Sequence, residues 1–594
     1  MLKRFLLNML SSFVGAWLAI ILLIVAGFML VVSIVGNIAL SNVASEQVKS
    51  RSVLKLTLDG EIIEKETATA PDFAKMIQGQ LDKPQTLNVL VEAIKEAARN
   101  KNIAALYLEC GSVSAPLATL DALREEVVEF KKSGKPVYAY GENMGTGAYF
   151  VASGADRIYM NPQGSVAMQG MSSTSMFMKD LFDKLGVQFQ VVKVGTYKSA
   201  VEPYIMQQMS EPARAQMDTL MTNMWSYITK CISSSRKGLT PAKIDTLISA
   251  QSIAFAPSSL SVTSGLVDSL VYGRQMSQRF GWITGQEGTE VNFVSPAALV
   301  TQVPWSDSYS SKNQIAVLYA TGEIADGNPK AIDYETLVPI IVDLADNERI
   351  KGMVLRVNSP GGSAYGSDQI GEALDYFQSK GKPLAVSMGD YAASGGYWIS
   401  ACGDIIFADP LTITGSIGIF GLIPNFKGLT DKIGINFETV STNPGANFPT
   451  GYRPMDERQM SVMQDYVNRG YDEFVGRVAK GRRMSVEAVK RIAEGRVWDA
   501  ISAKRIGLVD SLGNLQKAIE WTARKADVFN KYDIAAYPQY QPSFWDMVPT
   551  EAMAKAGMIP AAEQEKIIAE YAKLVLSRHK VQAKMPEVKI EFAN

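Results

Sequence analysis

Ser394 lies in the stretch 383–398, PLAVSMGDYAASGGYW, between two alanines and two glycines. The apolar run 383–388 reads as a buried strand, Gly389-Asp390 as a turn, and the run through Tyr397, Trp398 and Ile399 as the start of a helix. A serine where a strand yields to a helix is well placed to be a nucleophile. Small neighbours admit a substrate backbone, and the Gly395 amide at a helix N-terminus can face a developing oxyanion. Tight strand–helix packing asks for the same small residues, so the stretch alone leaves both readings open. The chain has one histidine, His579, in a charged tail, which argues against a Ser-His-Asp triad. A desolvated lysine is the usual substitute base. Lys198, in Gly195-Thr196-Tyr197-Lys198-Ser199-Ala200, is the candidate, although most lysines are simply solvated.

Elements that would carry these groups are legible on both sides. The segment 52–63 alternates like a strand with a turn at Asp59-Gly60, 89–99 reads as a helix, 103–108 as a strand, 120–131 as an amphipathic helix and 135–140 as a strand. Such alternation implies parallel βαβ units. The order returns at 314–324, 338–347, 350–357 and 382–388. Asp156, Pro162, Asp183-Lys184 and Gly186 recur at one constant interval as Asp404, Pro410, Asp431-Lys432 and Gly434. The chain therefore contains two copies of an α/β unit of about 250 residues, an ordinary domain size. The seam falls near 304–312, and the expected units are 50–305 and 312–536, with a tail over 537–594. Long amphipathic helices at 211–236 and 456–480 occupy similar places in the copies and are expected to project from them; another helix is expected near 561–577.

Aligning the copies shows what each lacks. Ser394 falls on Thr146, whose extra methyl would crowd an attack path; Lys198 falls on Ala446. One copy has a lysine without the serine, the other a serine without the lysine, and a composite site explains both losses. Asn358-Ser359-Pro360-Gly361-Gly362 follows a strand and can supply a backbone N–H opposite Gly395, where the first copy has Glu109-Cys110-Gly111-Ser112. It also reads as a plain turn. Ser416, in Thr414-Gly415-Ser416-Ile417-Gly418, reads equally as a hydroxyl that orients the lysine or as a turn residue; Ser165 occupies the related place in the first copy.

The 594 residues are too many for one core, and 47% hydrophobic with 20% charged residues fits globular domains plus a membrane element. A net charge of −1 gives no sign of nucleic-acid binding. Cys110, Cys231 and Cys402 show neither metal spacing nor a disulfide framework and read as buried small residues. Lys3 and Arg4 precede an almost wholly apolar span, 13–35, long enough to cross a bilayer. The positive-inside rule puts the N-terminus in the cytoplasm and the bulk of the chain outside. An uncleaved signal anchor within 1–45 is expected; the competing reading, a cleaved signal peptide, predicts a shorter apolar region and a site hidden in 39–45.

Together these stretches resemble the signal peptide peptidase A (protease IV) family in its long tandem-copy bacterial form. The similarity covers nearly the whole chain up to about residue 537. It implies α/β architecture with two crotonase-like (Clp-protease-like) domains and a Ser/Lys-dyad endopeptidase that uses no cofactor or metal. It assigns Ser394 as nucleophile, Lys198 as general base and Ser416 as the lysine's partner. Further implications are a homotetramer anchored in the bacterial inner membrane, facing the periplasm, with released signal peptides as substrates. Two rivals predict otherwise: a crotonase-like acyl-CoA enzyme leaves the serine–lysine complementarity unexplained, and a membrane scaffold built on a retired protease predicts no labelling of Ser394 by a serine-directed probe.

Overall fold

The apolar runs of the two halves form two mainly parallel sheets. The computed structural model describes residues 48–64, 85–249, 256–286, 290–301, 312–328, 331–443, 445–538, 582–584 and 591–592. The expected anchor at 13–35, most of the seam, the expected helix at 561–577 and His579 lie outside these residues. Among the described residues no helix is long and apolar enough to cross a membrane.

In the first sheet Ser52–Ile63 pairs with Ile103–Ser114, then Val137–Gly145, then Arg157–Ala167, all parallel. In the second, Gln314–Thr321, Ile350–Ser359 and Leu384–Ala393 run parallel in that order, and Ile405–Ala408 and Ile413–Gly415 both pair with Leu384–Ala393. Central strands covered on both faces read as continuous apolar runs, and Leu384, Ala385, Val386 and Met388 are all fully buried. Leu384, Val386 and Met388 each contribute about 1.5–3 kcal/mol by leaving water. The fold is thus mixed α/β with parallel sheets. Ser52–Ile63 is one strand rather than two with a turn: Gly60, at φ +72°, takes up a register shift within it.

The recurrent residues of the two copies perform the same local tasks. Asp156 Oδ2 accepts from the Val137 amide, as Asp404 Oδ2 accepts from the Leu384 amide. Lys135 Nζ donates to the Ala97 and Asn100 carbonyls at one helix end, as Lys382 Nζ donates to those of Leu344, Ala345 and Asn347. A cation there completes carbonyls that have no partner inside the helix. Tyr149 and Tyr397, each just inside the helix after the glycine-rich turn, donate to the Leu266 and Leu508 carbonyls.

The long helices Glu211–Ser235 and Glu457–Arg482 each lay a buried stripe along a core. In the first it is Leu220, Met224, Ile228 and Ile232; in the second it includes Val467, Tyr471, Phe474 and Val478. Spacings of three and four residues keep these on one face.

A third sheet joins the copies. Gln188–Lys193 runs antiparallel to Phe420–Asn425, with Lys193 opposite Phe420. Beyond it, Thr119 donates through its amide and hydroxyl to buried Asp390, and the Asn358 amide group bridges Asp390 and Glu64, which also pairs with Arg356. The segment after Lys193 is thereby carried against the second copy.

Candidate active site

Lys198 is placed by a close meeting of two backbones. Val194 N donates to the Ile419 carbonyl and Tyr197 N to that of Glu494. At Gly495, φ +75°, a Cβ would come within 2.8 Å of the Lys198 amide nitrogen and Cβ. At Gly195, φ +110°, it would come within 2.4 Å of the Glu494 carbonyl. Only glycine satisfies both the dihedral and the space. Gln216 closes the junction: its Nε2 donates to the Tyr197 carbonyl and its Oε1 accepts from the Val497 amide. Arg496 lies over the Tyr197 and Trp498 rings.

Ser394 stands between the strand Leu384–Ala393 and the helix Gly395–Ser400 with φ 56° and ψ −117°. Positive φ is sparsely populated for a residue with a Cβ and costs of order 1–3 kcal/mol. The Ser394 amide donates to the Gly415 carbonyl at 2.8 Å, and its carbonyl accepts from the Trp398 amide. Gly396 lets the helix press on the neighbouring loop, since a Cβ there would meet the Ser359 carbonyl at 2.6 Å. The turn directs the side chain at the strand edge where Ser416, also at positive φ (50°), sits.

Lys198 Nζ lies 2.8 Å from Ser394 Oγ, 3.1 Å from Ser416 Oγ and 3.1 Å from the Ser416 carbonyl. All three residues are 0% exposed. Among the described residues no carboxylate pairs with Lys198, and burial alone pushes its pKa well below the ordinary lysine value. Lys198 thus touches both Ser394 and Ser416, the serines singled out with it in the sequence, within one chain.

Gly395 opens the helix Gly395–Ser400, so its amide belongs to the first turn, whose N–H groups have no intrahelical acceptor. Gly361, at φ 100°, lies in the short strand Gly361–Ser363, and its amide is engaged by Ser359 Oγ at 3.1 Å. In the first copy Thr146 donates to the Ala167 carbonyl and Ser165 to Asn143; in the second copy Ala446, the counterpart of Lys198, is exposed. The cysteines are free; Cys110 and Cys402 are buried and Cys231 half-buried.

Sequence reasoning missed Gln216, Gly495 and Arg496, and named Asn358 only as the first residue of the glycine loop, without its side-chain role. Asn358 fixes the glycine loop to the strand Leu384–Ala393, its Oδ1 accepting from the Tyr391 amide. Gly495, in Ala493-Glu494-Gly495-Arg496, was visible as a helix terminator, but nothing local says that a lysine backbone presses on it.

The profile of peptidase family S49 matches the chain twice, over 129–280 and 376–529. Protease 4 of Haemophilus influenzae is 35% identical over 509 residues, covering 83% of this chain and 82% of its own. Protease 4 of Salmonella typhi is 33% identical over 542 residues, 88% and 86% of the two chains. A chloroplastic serine protease, SPPA, of Arabidopsis thaliana is 26% identical over 495 residues, 81% and 70%. With a buried serine at a strained strand–helix turn and two profile matches that together span more than half its length, the chain belongs to peptidase family S49 and is a serine protease.

Proposed function

We propose that Lys198 and Ser394 form the dyad of an endopeptidase, with Ser416 orienting the lysine. The observation that carries this reading is the 2.8 Å contact between Nζ and Oγ at full burial, with no acid among the described residues to hold the amine charged. An unperturbed lysine, pKa about 10.4, is neutral in fewer than about one molecule in a thousand at pH 7. Desolvation removes that obstacle. Hydrogen-bond counting fits the neutral form. The Ser416 carbonyl can only accept, which takes one N–H; Ser416 Oγ takes the second; the remaining lone pair faces the Ser394 hydroxyl.

The chemistry is then acyl transfer. Lys198 takes the Ser394 hydroxyl proton as Oγ bonds to the peptide carbonyl carbon. The Gly395 and Gly361 amides face the oxyanion, and the Gly361 amide exchanges the Ser359 hydroxyl for it. The C–N bond breaks, with the proton passing from Lys198 to the leaving amine. Water, deprotonated by Lys198, cleaves the ester and the proton returns to Ser394.

Two tandem crotonase-like (Clp-protease-like) units anchored to the bacterial inner membrane by 13–35, with the site on the periplasmic side, would act on apolar, extended peptides such as released signal peptides. A homotetramer is part of this reading, and the exposed Ile433, Ile435, Phe437 and Val440 offer apolar surface for assembly. The test is hydrolysis of a fluorogenic apolar peptide by Ser394→Ala and Lys198→Ala. Each should lose at least about a thousandfold in kcat/KM with the fold intact by circular dichroism. Full activity in the lysine variant would end the dyad.

A further inference from the structure

We infer that Asn358 and Glu64 are positioning residues: together they fix where the Gly361 amide stands relative to Ser394, and Glu64 does so from the first copy. The inference rests on the reading of Ser394 as nucleophile and of Gly361 as an oxyanion donor.

The glycine loop and the serine hang from neighbouring strands whose pairing breaks just before both. Val357 stands opposite Met388, but the next pair is Ser359 with Ala392, so Asn358 alone faces Gly389, Asp390 and Tyr391. A bulge of this kind leaves backbone groups outside the ladder, and something else must set the register there. The Asn358 side chain does so. Its Oδ1 accepts from the Tyr391 amide at 3.0 Å, while its Nδ2 donates to Asp390 Oδ2 at 3.0 Å and to Glu64 Oε2 at 2.9 Å. Both donors and one lone pair are used, which permits a single orientation of the amide. Gly389 makes room for it, since a Cβ there would stand 3.0 Å from Asn358 Cγ. Gly361 follows Asn358 by three residues and Ser394 follows Tyr391 by three, so one side chain ties the two arms together at their roots.

The carboxylates that Asn358 bridges are themselves held. Glu64, the residue after Ser52–Ile63 of the first copy, pairs with Arg356, which also donates to Ser387 Oγ and to the Met388 carbonyl, each at 2.9 Å. Asp390 Oδ1 accepts from the Thr119 amide at 2.9 Å and Oδ2 from the Thr119 hydroxyl at 3.1 Å. Thr119 lies in the first turn of the first-copy helix Leu117–Phe130, whose N-terminal end favours a carboxylate. Glu64, Arg356 and Asp390 are 8%, 7% and 5% exposed. A buried polar network with its members satisfied is rigid.

The first copy shows where such a network is dispensable. There Leu106 stands opposite Val137 as Met353 stands opposite Leu384, and the Val137 and Leu384 amides both serve the recurrent aspartates. Counted along the strands from these pairs, Arg356 corresponds to Glu109, Asn358 to Gly111 and Asp390 to Asn143. Glu109 pairs with Lys55, Gly111 has no side chain, and Asn143 is exposed. The network stands in the copy that carries the serine and is missing from the other. A network serving only the α/β unit would stand in both.

The test compares the inhibitor acetyl-Leu-Leu-leucinal with its alcohol, acetyl-Leu-Leu-leucinol, on the full-length protein. Ser394 Oγ bonds to the aldehyde carbon, its proton passes to Lys198, and the C=O π pair moves to the oxygen. The aldehyde therefore draws on the oxyanion amides, whereas the alcohol reads only the fit of the ground state. Asn358→Ala should lower kcat at least about thirtyfold with KM within about twofold, and weaken the aldehyde by a similar factor while the alcohol binds as before. Glu64→Gln, in the other copy, can accept from Asn358 or from Arg356 but not from both, and should give the same split at about tenfold. Should Asn358→Ala fail to fold, Glu64→Gln decides alone. Native kcat and native aldehyde affinity in the folded variants overturn the proposal. Equal losses for aldehyde and alcohol also overturn it, because they mark the network as structural only. A wild-type protein that binds the aldehyde no better than the alcohol would overturn the reading of Ser394 and Gly361 itself, so the two failures are told apart.

Discussion

At the scale of single residues the central fact is a fully buried lysine that, among the described residues, has no acid as a partner. Its lowered pKa has a consequence for stability as well as for rate. Between the folded-state pKa and the unfolded value near 10.4, the unfolded chain binds more protons than the folded one. Stability therefore rises with pH across that window, and below it the fold carries the cost of the buried amine. Lys198→Met keeps the apolar stem and removes the titration. Thermal melts from pH 7 to pH 10 should show the wild-type Tm climbing relative to that of Lys198→Met; parallel curves would mean that Lys198 titrates normally. The residues of this cluster were legible because the chain could be compared with itself: Thr146 stands where Ser394 should, and Ala446 where Lys198 should. Gln216 and Asn358 were not legible, because a side-chain amide serving a junction looks like any surface amide until its partners, Tyr197, Val497 and Tyr391, are in place.

At the scale of elements, the site depends on how the segment after Gln188–Lys193 is laid on the second copy. Strands and helices of each copy followed from periods of two and 3.6, and most bounds fall within a few residues of the pattern. Pairing between copies did not follow. Gln188–Lys193, QFQVVK, alternates weakly, and nothing in its own composition names Phe420–Asn425 as its neighbour. The same holds for the tail strand Gln582–Lys584, whose partners are distant in sequence. Gly495 tests this layer. A Cβ at that position meets the lysine backbone, which cannot yield as a side chain can, and the residue's φ of +75° already disfavours one. Gly495→Ala should displace Lys198 and lower kcat by about a hundredfold, the usual cost of misplacing a catalytic group by an ångström, while KM changes far less. Steady-state kinetics decide it; an unchanged kcat would show that the junction does not set the lysine.

At the scale of the whole molecule, the two copies meet across buried acids that the proposed dyad does not use. Asp121 and Asp409 are 0% and 4% exposed, and each has one buried carboxylate oxygen without a hydrogen-bond partner. Tyr227 donates to the other oxygen of Asp121, and the Leu411 amide to that of Asp409. Burial pushes Asp121 up to about 7, with repulsion from Glu125 adding to it and the Tyr227 hydrogen bond and Arg124 opposing. Burial, with repulsion from Asp121, raises Asp409 well above the usual carboxylate range. Here the folded state binds more protons than the unfolded one, so stability falls as pH rises from about 4 toward 7. Asp121→Asn keeps an acceptor for Tyr227 and removes the charge. It should flatten that fall and raise Tm by several degrees at pH 8, with little effect at pH 4. Differential scanning calorimetry at the two pH values would show it, and a Tm gain of equal size at both would place the effect elsewhere.

The most direct test of the dyad is the rate at which a fluorophosphonate labels Ser394 as a function of pH, with and without Lys198, because labelling reads the nucleophile itself and not substrate fit. In the native protein the rate should rise with a single apparent pKa well below 10.4. In Lys198→Met it should fall by at least about a hundredfold and lose that limb. Equal rates and one shared pH profile in the two proteins would contradict the assignment of Lys198 as the base.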